Sequence, residues 1–296
     1  MTTQPVIKVR NLSKDFKSKH ALLDVNLEIP TGSVVGVLGP NGCGKTTLFK
    51  HLIGLLQPSR GGVETFGTDA ARLDASQLGK IGYVSQQSEL IDHLTVRETI
   101  NFTEAHYLNW DKDLAQRLLN DFKLNDNSNV GSLSVGQKQR LSIVLGVSHR
   151  PELLILDEPA ASLDPVVRQD FLDLLMELIQ QPERTILISS HILTDVQKII
   201  DKVLIIDEGM VHCFQDLDDL REEYYSISLR SLSGALPTDI QLTGIKYLDH
   251  QGATAVVKLH NPDADLVKRE VADLNCQADI SRLDFEDIYR LIVSGK

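Results

Sequence analysis

The feature that most constrains this chain is an eight-residue segment, Gly39-Pro40-Asn41-Gly42-Cys43-Gly44-Lys45-Thr46, set between an apolar run at 34–38 and a helix-length stretch at 46–55. It has the GxxxxGK[ST] pattern in the strand, loop and helix context that the pattern requires. Glycines let such a loop turn successive backbone N–H groups inward, and the N-terminus of the following helix adds positive potential, so the loop can cradle phosphate oxygens. Lys45 would pair the β- and γ-phosphates and Thr46 would coordinate Mg²⁺. A purely structural turn has no need of the Lys-Thr pair. By itself the loop specifies a nucleoside triphosphatase or a kinase and leaves the choice open.

Short β-rich runs recur at 34–38, 81–85, 153–156, 185–189 and 203–206, separated by helix-length amphipathic stretches. They are continuously apolar, as strands buried on both faces are, which predicts an α/β fold around a mostly parallel sheet. Thr95 with Glu98 and Ser134 with Gln137 fit the capping box, and Asp164 before Pro165 gives an N-cap with a first-turn proline. Between 88 and about 132–148 the sheet pattern lapses into helical stretches at 95–107 and 111–122, which predicts a helical insertion. Past about 224 the pattern changes again, with a strand at 226–229, a hairpin about 250–252 and helices at 264–274 and 284–293. The expected organisation is a core over 1–223 and a small C-terminal α+β domain over 224–296. That last segment carries no phosphate loop, metal cluster or nucleophile, so it is expected to be dispensable for the chemistry or regulatory.

The run Leu153-Leu154-Ile155-Leu156-Asp157-Glu158 ends in two adjacent carboxylates. Strand alternation sends them to different faces. Asp157 can then hold Mg²⁺ beside Thr46, leaving Glu158 to orient or deprotonate a water in line with the γ-phosphate.

Composition narrows the function. The formal charge is −11, from 41 acidic and 30 basic residues, and aromatics make up 5%. Both argue against nucleic acid, which rewards basic surfaces and stacking platforms. Cys43, Cys213 and Cys276 are scattered and form no CxxC pair, which fits a reducing cytosol. No apolar run approaches the roughly 20 residues of a membrane span, and the N-terminal residues lack a signal pattern.

Leu133-Ser134-Val135-Gly136-Gln137-Lys138-Gln139-Arg140 opens a helix shortly before the carboxylate strand and closely resembles the LSGGQ signature of ATP-binding cassette (ABC) ATPases. The resemblance continues in order over roughly residues 5–215. Phe16 stands at the place of the adenine-stacking aromatic, Gln86 at that of the Q-loop glutamine, Ser162-Leu163-Asp164 looks like the D-loop and His191 like the switch histidine. Two positions depart from the usual pattern. Val135 replaces a signature glycine, and Phe16 replaces a tyrosine but keeps the stacking face.

The resemblance implies a P-loop NTPase core of the ABC ATPase type with a helical subdomain at about 88–148. It implies ATP and Mg²⁺ as cofactors, with Gly39 to Thr47 and Phe16 on the nucleotide, Thr46, Gln86 and Asp157 at the metal, and Lys45, Gln86, Glu158 and His191 serving hydrolysis. Ser134 and Gly136 are expected to act on nucleotide held by a second protomer in a head-to-tail homodimer, and Gln137 and Asp164 are also expected at the nucleotide. Because the chain shows no membrane span, transport requires a separate permease. The expected location is the cytoplasmic face of the cell membrane, with the permease-facing surface near 86–101. The stretch 107–111 resembles bacterial export-type ATPases. The alternative is a soluble ABC ATPase of translation or DNA repair, which would normally bring tandem cassettes, coiled coils or basic extensions that are not seen here. A P-loop kinase would need neither the signature nor His191.

Overall fold

The computed structural model describes residues 4–17, 19–181, 183–190, 192–232 and 234–295. They form two compact units, 1–214 and 215–296.

In the first unit, β1 (Pro5–Phe16) and β2 (Lys19–Pro30) make a long antiparallel pair, extended by β4 (Arg60–Thr65) and β5 (Thr68–Asp69) in the order β2-β1-β4-β5. The second sheet contains β3 (Val34–Leu38), β6 (Ile81–Val84), β7 (Leu153–Leu156), β8 (Thr185–Ser189), β9 (Lys202–Asp207) and β10 (Met210–Asp216), in the order β10-β9-β3-β8-β7-β6. Its pairings β9-β3, β3-β8, β8-β7 and β7-β6 are all parallel. Every residue of β3, β7 and β8 is buried, which is why these strands read as unbroken apolar runs.

The four-stranded antiparallel sheet is an addition to the sequence expectation. Its long strands β1 and β2 are offset by several register shifts; the buried positions of β1 fall partly in pairs, whereas β2 alternates over Val25, Leu27 and Ile29. In β1, bulges of this kind erase the period-2 signal on which strand recognition depends.

Helix α1 (Lys45–Leu52) joins the two sheets. Its Leu48, Phe49 and Leu52 are fully buried in one apolar cluster with Ile7, Leu12 and Leu22 of the antiparallel sheet and Val35, Ile155 and Leu187 of the parallel one. Between β6 and β7 lie α3 (Val96–Glu104), α4 (Lys112–Asp121) and α5 (Val135–Val147), the helical insertion. α5 returns to the sheet through two glycines. A Cβ on Gly82 would stand 2.3 Å from the Gly146 carbonyl oxygen, and one on Gly146 would meet the Val84 side chain at 2.7 Å. α2 (Ala75–Leu78), α6 (Pro165–Leu178) and α7 (Leu193–Val196) complete this unit.

The second unit holds α8 (Leu217–Glu223) and a four-stranded antiparallel sheet of β11 (Tyr224–Ser231), β12 (Ile245–Gln251), β13 (Thr254–His260) and β14 (Cys276–Arg282), ordered β12-β13-β11-β14. α9 (Ala264–Ala272) places Val267 and Val271 in an apolar cluster with Ile227, Leu229, Val257 and Leu259, and α10 (Phe285–Ser294) ends the chain. This unit therefore has a core of its own.

Because Phe49 is sealed between the two sheets on the helix that begins at Lys45, its truncation should act on both stability and ligand binding. Phe49→Ala is expected to cost about 3–5 kcal/mol in denaturant unfolding and to weaken nucleotide affinity in parallel. A loss below about 1 kcal/mol would contradict this account of the core.

Candidate active site

Four strands of the parallel sheet deliver their C-terminal ends to one edge, in the crevice where open α/β sheets bind ligands. β3 leads into the glycine loop, β7 into Asp157 and Glu158, and β6 toward Gln86, while β8 lies between β3 and β7. The cavity here, about 460 Å³, is lined by Phe16, Lys19, Ala21, Asn41, Gly42, Gly44, Lys45, Thr46, Thr47, Gln86, Asp157 and Glu158.

The loop is shaped by glycines. Gly42 and Gly44 have φ of 81° and 118°, and a Cβ on Gly44 would come within 2.5 Å of the Ala21 carbonyl oxygen. Gly44 is also the N-cap of α1 and brings no side chain to its first-turn amides. Those donors suit an anion. Lys45 is folded back across the loop, donating to the carbonyl oxygens of Gly39 at 2.8 Å and Pro40 at 3.2 Å, with the Glu158 Oε1 3.9 Å from its Nζ.

Asp157 is 1% exposed and held at both oxygens. Its Oδ2 accepts from the Thr46 hydroxyl at 2.6 Å and its Oδ1 from the Ser189 hydroxyl at 2.9 Å. The Ser189 oxygen in turn accepts from the Glu158 amide at 2.8 Å. Ser189 thus ties β8 to both carboxylate residues, a role the sequence did not signal beyond its place near His191. Thr46 and Asp157 supply hard oxygen donors side by side, which fits Mg²⁺, an ion usually held by one or two carboxylates plus substrate phosphates and water.

Strand alternation does not hold at Asp157 and Glu158. β7 ends at Leu156, and Glu158 adopts φ 49°, so the backbone turns and both carboxylates line the same cavity. Glu158 is 7% exposed. At the end of β6, Gln86 lines the cavity, whereas the adjacent Gln87 uses its carbonyl to accept from Ser85. Tyr83, also on β6, has its hydroxyl pKa pushed up to about 12, first by burial and then by Asp157 and Glu89. It remains a neutral phenol.

Phe16 stands at the mouth, 45% exposed, with Lys14 Nζ 5.1 Å from its ring centre. Cys43 packs beneath the loop. Burial raises its thiol pKa and outweighs the opposing pull of Lys45, so proximity to a lysine does not produce a thiolate.

Ser134, Gly136, Gln137 and Asp164 are not in the cavity wall. Ser134 caps α5 through a full capping box with Gln137, whose side chain accepts from the Ser134 amide at 2.9 Å. Asp164 caps α6, and its carboxyl is held below the usual carboxylate range chiefly by the Val167 amide. Arg140 on α5 donates to Asp164 at 2.7 Å, and Gly136 lies so close to the Ser162 carbonyl that a Cβ would stand 2.8 Å from it. The two helix N-termini therefore form one patch. His191 lies outside the described residues.

A family profile described as ABC transporter matches residues 22–161, and YtrB, an ABC transporter ATP-binding protein of Bacillus subtilis, is 30% identical over 264 residues, 88% of each chain. The chain belongs to the ABC transporter ATP-binding proteins. The bacitracin transport ATP-binding protein BcrA of Bacillus licheniformis is 35% identical over 69% of this chain and 67% of its own length. The ATP-binding cassette MJ0796, solved as a dimer in a post-hydrolysis state with ADP and Pi bound, is 27% identical and superposes with a TM-score of 0.64 over 71% of this chain and 98% of its own. This ABC protein is accordingly an ATP hydrolase, the ATPase subunit of a transporter, built on the ABC ATPase fold.

The raised thiol pKa gives a direct check on the packing of the loop. In the native protein at pH 8, Cys43 should be alkylated at least about tenfold more slowly than in guanidine-unfolded chain, because burial lowers both thiolate fraction and access. Peptide mapping after iodoacetamide labelling reads this, and equal rates would contradict it.

Proposed function

We propose that this cavity binds Mg-ATP, and that the chain hydrolyses it as one of two head-to-tail protomers beneath a separate membrane permease that exports its cargo. The observation that carries the reading is the pincer on Asp157, which sets Thr46, Asp157 and Glu158 around one point at the mouth of the glycine loop.

In this reading adenine stacks on Phe16 and the phosphates lie along Gly39 to Thr47. Lys45 leaves the Gly39 and Pro40 carbonyls for phosphate oxygens, a move that exchanges two neutral acceptors for charged ones. Thr46, Asp157 and Gln86 hold Mg²⁺, which when bound neutralises phosphate charge. Glu158, its amide held by the Ser189 hydroxyl, takes the role of general base toward the attacking water, and His191 acts beside the γ-phosphate. Gln86, at the head of the helical insertion, carries the nucleotide state toward the permease.

The second half of the site is the patch of α5 and α6 N-termini. Within one chain this patch stands apart from the cavity lining, so Ser134, Gly136, Gln137 and Asp164 act on the partner's nucleotide. The dimeric state of the MJ0796 relative supports this arrangement. Export rests on the resemblance of the stretch 107–111 to export-type ATPases. Transport, as against translation or repair, is favoured by the relatives, which are transport ATP-binding proteins. Among the described residues no helix is long and apolar enough to cross a membrane, so a membrane role runs through a partner.

Glu158→Gln keeps shape and hydrogen bonding while removing the base. Turnover should fall about 10²–10⁴-fold with ATP affinity retained, and gel filtration with Mg-ATP should show the variant accumulating as a dimer. Near-normal hydrolysis would remove Glu158 from its role. Ser134→Glu places a carboxylate at the tip of α5, where it would repel the partner's γ-phosphate at short range. Turnover should be lost while nucleotide binding to the isolated monomer is kept. Equal losses in both would show that Ser134 does not act across the dimer.

A further inference from the structure

Lys19 is a cavity-lining residue with no part in the signature motifs. It opens β2, directly opposite Phe16 in the antiparallel register of β1 and β2. Opposed residues in such a pair project from the same face with Cβ atoms about 4.5–5.5 Å apart. The Lys19 side chain therefore starts beside the Phe16 ring. It ends on the phosphate loop, with Nζ 3.4 Å from the Gly42 carbonyl oxygen and 3.7 Å from where a Gly42 Cβ would be. One side chain thus spans the distance from the aromatic platform to the outer turn of the loop.

Resting on the reading of this cavity as the nucleotide site, we propose that Lys19 is a nucleotide-binding residue whose ammonium meets the ribose–α-phosphate segment. Lys45 occupies the other end of the loop, at the Gly39 and Pro40 carbonyls. A base stacked on Phe16, with its terminal phosphates in the glycine loop, must pass its sugar and first phosphate between the two, along the line that Lys19 covers. The chain carries a net charge of −11, and Asp157 and Glu158 line the same cavity, so a polyanion entering it meets repulsion that a second cation offsets. Glycine at 42 answers the backbone, which has φ 81° there, and among the described residues the Lys19 ammonium is the group nearest that turn.

The α-phosphate is common to ATP and ADP and changes little in hydrolysis, so this contact contributes uniform binding and its loss falls on affinity and KM, not on kcat. Charge-assisted hydrogen bonds are the stronger class, and an exposed one sits at the low end of their range. For Lys19→Met, which keeps the apolar stem, the dissociation constant for ADP and the KM for ATP should each rise about tenfold, with kcat within about twofold. Lys19→Arg should restore affinity to within about threefold. The gap between wild type and Lys19→Met should narrow between about 50 and 500 mM KCl, because salt screens an exposed charge.

ADP affinity unchanged in Lys19→Met would overturn the proposal, as would a loss confined to ATP, a fall in kcat at constant KM, or a defect that Lys19→Arg fails to restore. Lys45→Ala in the same titrations separates the two claims. If it too binds ADP normally, the cavity is not the nucleotide site. If it loses ADP while Lys19→Met does not, only the role of Lys19 falls.

Discussion

Two hydrogen bonds to Asp157 hold the site together. Thr46 is fixed to α1 and hence to the glycine loop after β3, and Ser189 ends β8, so one buried carboxylate ties three neighbouring strands of the parallel sheet at the edge where they stop. A carboxylate at 1% exposure is costly unless its oxygens find donors, and here each oxygen has one. The same two bonds set Glu158, because the Ser189 oxygen also receives the Glu158 amide while the backbone turns through positive φ. The position of the proposed base is thus a consequence of how its neighbour is buried.

The patch around the α5 and α6 N-termini follows a different logic. Its polar groups are satisfied locally: Ser134 and Gln137 cap one another, and Asp164 caps α6 while receiving Arg140. The two helix N-termini lie side by side, and such ends favour anions, an attraction that the Asp164 carboxylate already meets at α6. Beside them Val135 is 74% exposed and Val166 66% exposed, apolar side chains standing in solvent at the first turns of those helices. The head-to-tail dimer proposed here would cover them. Val135, at the place of a signature glycine, sits at N1 of α5 in ordinary helical structure, so the position does not demand glycine in this chain.

The parallel strands, the glycine loop, the paired carboxylates and the three caps at Thr95, Ser134 and Asp164 were all legible in the sequence, because each is a local pattern: a fully buried apolar run, a spacing, or a side chain reaching three residues along. The antiparallel sheet was not read, although β2 alternates over Val25, Leu27 and Ile29; its partner β1, bulged and with buried positions partly in pairs, carries no matching period. The wrong expectation that Asp157 and Glu158 face opposite ways came from extending strand geometry past the end of β7.

What the sequence determined by itself was the family and the inventory of groups, because glycine spacing, Lys-Thr and the signature are chemical requirements of phosphate binding that appear as contiguous words. What only the tertiary structure decided was convergence. Ser189 and Lys19 carry no motif, and they reach the site because β8 is inserted between β3 and β7 and because β2 folds back against Phe16. Strand order brings Thr46 to Asp157 across 111 positions, a distance no local window of sequence encodes, whereas Lys19 and Phe16 are near neighbours in one hairpin and the fold is needed only to lay the lysine on Gly42.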